Sequence, residues 1–182
     1  MADARLVIVS KYLSKHLRHQ PERLGLRLAP GGWVEVDELL RACAWNGFPI
    51  SREELDEVVA RNDKKRFSFD QTGEMIRANQ GHSVEIDLQL SPSLPPEVLY
   101  HGTGHRKVEA IMKEGLRKMS RHHVHLSTDI QTAIRVGMRH GKPVVFAVDT
   151  VAMQEAGFLF FLSANGVWLV HSVPPDCLPE VE

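Results

Sequence analysis

Leu6, Val9, Leu13 and Leu17 recur every three or four residues, the period of one apolar face on an α-helix. Pro21 sets the end of that helix. The tetrapeptide GLRL, residues 25–28, predicts a short strand. Asp37 is the expected cap of a second helix, ELLRACAWN, which Gly47 stops. Ser51 with Glu54 three residues on forms a capping box for a third helix, REELDEVVARN. RFSFD and EMIRA then alternate apolar and polar residues around Gln71-Thr72-Gly73, the pattern of a β-hairpin. Helix, strand, two helices and a two-stranded wing amount to a winged-helix lobe over residues 1–80. Such modules usually contact nucleic acid, though many bind only protein.

Three prolines, Pro92, Pro95 and Pro96, mark residues 81–97 as an extended linker, because proline lacks a backbone donor and disfavours helix before it. From residue 98 to 182 the pattern changes to short strands with few helices. EVLYHGT reads as strand then turn, and RKVEAIMKEG as a helix ended by Gly115. HVHLS alternates as a strand, Thr128 or Asp129 caps a helix running to His140, and PVVFAVDT is a buried strand. FLFFLSA and VWLVHSV, joined at Asn165-Gly166, make a further hairpin. The expected class is α+β with two lobes.

Composition narrows the function classes. The 182 residues carry 22 basic and 23 acidic side chains, a net charge of −1, which excludes a general polycation. No apolar run approaches the ~18 residues of a membrane span, and the N-terminus lacks the pattern of a secretory signal. Cys43 and Cys177 lie outside any CxxC, so neither a zinc site nor a disulfide framework is expected, and the compartment reads as reducing and cytoplasmic. The charge is unevenly spread. Six basic residues and one acid, Glu22, lie between Arg5 and Arg27, and all nine basic residues after Arg77 lie between Arg106 and Lys142. Local anion sites would give this pattern, and so would solvated helix faces.

Ser14, Lys15, Arg18 and His19 lie one helical turn apart, so their donors share a face suited to a dianionic group. A second cluster, Arg61-Asn62-Asp63-Lys64-Lys65-Arg66, runs into the first wing strand. Tyr100-His101-Gly102-Thr103 lies at a strand end, where glycine lets a ligand approach the backbone. SRHHVHLS puts His125 and Ser127 on one side of a strand, with Arg121 before it. Three histidines in four residues suggest a metal, but no cysteine or HExxH accompanies them. No Asp or Glu falls within LSKHLRHQP, YHGTGHR or SRHHVHLS, which disfavours a paired-carboxylate hydrolase, and no GxSxG is present. A site of Arg, His, Lys and Ser suits phosphate chemistry driven by charge stabilisation.

KYLSKHLRHQP, GWVEVDELL, NDKKRFSF, IRANQGHS, YHGT, RHHVHLS, GKPVVF and ANGVWLV, in that order over nearly the whole chain, resemble the RNA 2′-phosphotransferase family. The resemblance implies a winged-helix lobe followed by an ADP-ribosyltransferase-like lobe. It also implies NAD-dependent removal of an internal RNA 2′-phosphate, of the kind some tRNA ligases leave at a splice junction. The phosphate attacks the nicotinamide ribose and expels nicotinamide. The neighbouring ribose hydroxyl then attacks phosphorus, leaving 2′-hydroxyl RNA and ADP-ribose 1″,2″-cyclic phosphate.

By the same resemblance the essential set is Arg18, His19, Arg66 and Arg121. Arg18, His19 and Arg66 would clamp the RNA 2′-phosphate, with Lys15 and Lys64 as auxiliary donors, and Arg121 would bridge substrate phosphate and the NAD side. His101, Gly102 and Thr103, with His125 and Ser127, would bind NAD, Gly102 through its backbone to the nicotinamide amide. Val167 stands where many ADP-ribosyltransferases carry a glutamate, which disfavours protein acceptors. The expected partners are NAD and a tRNA-like RNA with an internal 2′-phosphate, with no metal and no membrane, and the expected state is a monomer. Two competing readings are a transferase that only ADP-ribosylates terminal nucleic-acid phosphates, and a nucleic-acid-binding protein whose second lobe senses NAD.

Overall fold

The computed structural model describes residues 2–62 and 64–181. It is of mixed α+β composition and divides into two compact units, Met1–Leu90 and Ser91–Glu182.

In the first unit, helix α1 (Ala2–His19) buries Val9, Leu13 and Leu17 completely, so the four-residue spacing becomes one wall of the core. The next elements are strand β1 (Trp33–Glu35), helix α2 (Val36–Trp45), helix α3 (Arg52–Ala60), and strands β2 (Phe67–Phe69) and β3 (Met75–Ala78). The sheet order is β1-β3-β2, all antiparallel. Leu39, Cys43, Leu55, Phe67 and Ile76 complete the core. α3 has the expected capping box: Ser51 accepts from the Glu54 amide and Glu54 accepts from the Ser51 amide. In the β2–β3 turn the Asp70 carboxylate accepts the amides of Glu74 and Met75, which, with the Met75 amide as the main cause, holds its pKa below the usual carboxylate value.

Two local expectations differ. Residues 25–28 form no strand. Gly25 instead caps a short 3-10 turn at Pro21–Leu24 in the left-handed region (φ 70°), and the strand of this part of the chain is β1, eight residues later. Asp37 does not cap α2; Glu35 occupies the cap position and no side chain bonds there. The stretch 81–97, read as linker, carries no regular element, but it is packed. Gly31 donates to the Asp87 carbonyl, and His82 and Leu88 are buried. Beyond the division at residue 90, the Ser93 amide bonds the Phe160 carbonyl, and Thr150 bonds the carbonyls of Pro96 and Glu97. Extended backbone with free donors recruits neighbours wherever they are offered.

The second unit contains β4 (Val98–Gly104), α4 (Val108–Glu114), β5 (Leu116–Arg117), β6 (Val124–Leu126), α5 (Ile130–Gly137), β7 (Pro143–Asp149), α6 (Thr150–Glu155), β8 (Phe160–Leu162), β9 (Trp168–Val170), β10 (Ser172–Val173) and β11 (Glu180–Val181). Sheets ordered β11-β7-β4 and β6-β9-β8 are joined by a bridge between Tyr100 and Ser127, and β5 pairs with β10. The long pair is β4 on β7, from Val98 opposite Asp149 to Gly104 opposite Pro143. Asp129 caps α5 by accepting the Thr132 amide at 2.7 Å. Among the described residues no helix is long and apolar enough to cross a membrane.

α5 lies on β4 backbone to backbone. A Cβ built on Gly102 would stand 1.7 Å from the Ala133 carbonyl oxygen, and one on Gly104 would stand 2.2 Å from that of His140. From the helix side, a Cβ on Gly137 would stand 2.8 Å from the Thr103 carbonyl oxygen. No side chain fits in this seam. Gly102→Ala is therefore expected to cost about 3 kcal/mol, the upper end of ordinary overpacking. Gly157→Ala, in open space at φ 85°, is expected to cost only the ~1 kcal/mol of a left-handed backbone. Thermal or urea unfolding of both variants checks this; equal losses would mean that the seam can yield.

Candidate functional site

Two groups of polar side chains, one in each unit, carry the predicted residues. In the first unit α1 ends with Arg18 half-buried and His19 exposed, and Lys15 lies exposed one turn earlier. The segment Asn79–Ser83, which leaves β3, wraps this helix end. The Ser83 amide donates to the Arg18 carbonyl at 2.9 Å, and Ser83 Oγ lies 2.8 Å from His19 Nδ1. Gly81, at φ 88°, brings its backbone against the Arg18 side chain; a Cβ there would stand 3.6 Å from the guanidinium. That is ordinary contact, so glycine serves the backbone turn more than the space.

The same segment holds the second cluster. The Asn79 amide donates to the Arg66 carbonyl at 2.9 Å, and its side-chain Nδ2 donates to the Lys65 carbonyl at 2.7 Å. Lys65 is held at φ 40°, a left-handed conformation costly for a side-chain-bearing residue. Asn79 is 3% exposed, so both bonds are sheltered from water. Arg66 reaches the Asn62 side-chain oxygen at 3.2 Å and the Ser10 hydroxyl at 3.4 Å, and the exposed Lys64 bonds Asn62 through its amide. Ser10 is eight residues before Arg18, about 12 Å along the helix at ~1.5 Å per residue, so Arg66 is anchored up the helix from the Arg18–His19 pair. The Ser14 hydroxyl, Asn79 Oδ1 and Gln80 Oε1 are buried without a protein hydrogen-bond partner, the mark of a place where a polar ligand or ordered water completes the bonding.

In the second unit the β4–β6 edge gathers most of the predicted set. Tyr100 and Ser127 exchange both backbone bonds at 2.8 Å. Strand alternation then turns the Gly102 amide and carbonyl to that same edge, while His101 and Thr103 direct theirs to β7. His101 Nδ1 donates to the His125 carbonyl at 3.1 Å, which fixes the tautomer and leaves Nε2 as the acceptor. Burial, the largest influence, pushes the His101 pKa below its ordinary value despite that bond, so the ring stays neutral. Thr103 is buried beside the seam. Arg121 is exposed on the bend that precedes β6. The His123 ring meets Phe161 edge-on at 5.9 Å. Among the described residues no three His, Cys, Asp or Glu side chains converge as a metal site.

The structure adds Ser10 and gives roles to residues that the sequence reading quoted only within longer motifs. Asn79, Gly81 and Ser83, of IRANQGHS, tie the two basic clusters of the first unit to one segment, and Ser10 with Asn62 orients Arg66. Their signal was the polar, glycine-containing run directly after a hairpin strand. Gly102, read as room for a ligand, is required in the first place by the Ala133 carbonyl.

Sequence comparison supplies the chemical context for this geometry. The profile described as "RNA 2'-phosphotransferase, Tpt1 / KptA family" matches residues 4–172. A protein of Nostoc punctiforme named "Probable RNA 2'-phosphotransferase" is 65% identical over 181 residues, covering 100% of both chains. Proteins of the same name from Trichormus variabilis and Streptomyces griseus are 67% and 59% identical, each over 98% of both chains. With a match spanning both units, and with similarity extending end to end, this chain belongs to the RNA 2′-phosphotransferase family.

Proposed function

We propose that the protein is an NAD-dependent RNA 2′-phosphotransferase that works in two steps without a metal, as a monomer in the cytoplasm. In this reading the first unit is a winged-helix lobe that holds the RNA, and the second is an ADP-ribosyltransferase-like lobe that holds NAD. One observation carries the reading: a single segment, Asn79–Ser83, fastens both the Arg18–His19 helix end and the Lys64–Arg66 turn. Cations fixed by backbone bonds are pre-organised for a dianion, and their ordering cost is met on folding.

Arg18, His19 and Arg66 grip the 2′-phosphate, with Lys15 and Lys64 as outlying donors. Arg offers two parallel N–H bonds to phosphate, and Lys a point charge. NAD is the second substrate and supplies an electrophilic ribose carbon with nicotinamide as leaving group. Its fit rests on two features of the β4 edge. The Gly102 amide and carbonyl can pair with a carboxamide, and the neutral His101 ring offers Nε2 to a ribose hydroxyl while Thr103, His125 and Ser127 shape the strand beside it. Orienting the phosphate against that carbon is the task of the first step. Stabilising the crowded phosphorus of the second falls to the guanidinium groups, Arg121 among them. Cys43, buried with its pKa pushed up to about 11, is inert, and neither cysteine is paired, which fits a reducing compartment.

Incubation with NAD and a short RNA bearing one internal 2′-phosphate, with products resolved by mass and a chelator present, tests the whole reaction. The expected products are 2′-hydroxyl RNA, nicotinamide and ADP-ribose cyclic phosphate. ADP-ribosylated RNA as the final product would reduce the enzyme to the one-step transferase, and bound but unchanged RNA would make it a binding protein. In the same assay Arg66→Ala is expected to accumulate RNA joined to ADP-ribose through its 2′-phosphate; normal partitioning to product would remove Arg66 from the second step.

Asn79→Ala tests the clamp. Losing the sheltered side-chain bond to the Lys65 carbonyl and releasing that turn should raise KM for the RNA about tenfold, equivalent to ~1.4 kcal/mol, with KM for NAD unchanged. A parallel rise in both constants would assign Asn79 to general stability instead.

A further inference from the structure

Beside Arg66 the first unit carries a groove of about 470 Å3 between α1 and the end of α3. Ser10, Lys11, Arg61, Asn62, Lys64 and Arg66 form its polar rim, and Leu6, Val7 and Val58 its apolar lining. Among the described residues that line it, four ionic groups are cations and one, Glu57, is an acid, which is bound to Arg61 at 2.5 Å. These described residues carry a net positive charge. Val7 is 52% exposed although it stands on a core helix, so solvent reaches the apolar part as well as the charges. Lys11 and Arg61 have no place in the reaction described above.

We infer that this groove holds an RNA nucleotide flanking the 2′-phosphorylated one, with Lys11 and Arg61 on its backbone phosphate and its base or ribose on Leu6 and Val7. The inference rests on the function proposed above, because Lys64 and Arg66 both line the groove and hold the 2′-phosphate in that reading. A substrate gripped at Arg66 therefore leads its neighbouring nucleotide into the groove. The chemistry selects a single-stranded nucleic acid: cations at the rim track phosphates, and an apolar surface receives a base of any sequence. An acidic peptide would satisfy the cations and leave the apolar lining in water.

The test compares the full-length wild type with Lys11→Ala and with the Lys11→Ala/Arg61→Ala double variant. Both positions are exposed, and melting curves verify the fold. Affinity is measured for a hexanucleotide with and without an internal 2′-phosphate, for a nucleoside 2′-phosphate, which has no neighbouring nucleotide, and for NAD. The double variant should lose about tenfold affinity for both hexanucleotides and none for the nucleoside 2′-phosphate or NAD, with the single variant intermediate. Its salt slope for the hexanucleotide should be shallower by about 0.7, the change for one lost phosphate contact on a single strand. Unchanged hexanucleotide affinity would overturn the groove's assignment, and so would a loss confined to NAD. If the 2′-phosphate adds nothing to wild-type affinity, the proposed function falls, while the unphosphorylated hexanucleotide still decides the groove.

Discussion

Gly102, Gly104 and Gly137 let β4 and α5 meet with no side chain between them, and the geometry of the second unit depends on that contact. A Cβ 1.7 Å from a carbonyl oxygen cannot be accommodated by side-chain rotation, because what it meets is backbone. The seam fixes the height of α5 over the sheet. Through the Asp129 cap it also fixes where Ser127 emerges from β6. Ser127 in turn takes both backbone bonds of Tyr100, so the backbone of Gly102, two residues along, faces the same edge. One glycine thus serves packing with its missing side chain and, in the function proposed above, recognition with its amide.

The first unit solves a different problem by a related device. It gathers basic side chains at the end of α1 and in the turn before β2, and like charges oppose one another. Backbone bonds do the holding: Ser83 to the Arg18 carbonyl, and Asn79 to the carbonyls of Lys65 and Arg66. Bonds to these carbonyls use none of the guanidinium or imidazole donors, whereas ion pairs would. The left-handed Lys65 is the local conformational cost of this arrangement.

Elements whose patterns are governed by local chemistry were legible in the sequence. The four-residue spacing of α1, the Ser51–Glu54 box, the hairpin around Gln71-Thr72-Gly73 and the Asn165-Gly166 hairpin all occur as read. The strand expected at residues 25–28 failed because Gly25 was wanted as a left-handed cap. The two-residue pairing of β5 with β10 and the short α6 were not foreseen, since both exist through tertiary placement and have little pattern of their own. The site shows the same division. Arg18 with His19, and His101 with Gly102, stand out as motifs, whereas Asn79 and Ser10 act through partners 14 and 56 residues away that no local spacing announces.

The central claim is that ADP-ribose passes from NAD to an RNA 2′-phosphate. The most direct measurement is nicotinamide release from NAD with 2′-phosphorylated RNA, with the same RNA after 2′-dephosphorylation, and with no RNA. The account predicts release only with the phosphorylated RNA, one nicotinamide per 2′-phosphate consumed. Release at equal rates in all three would contradict it, as would none in any.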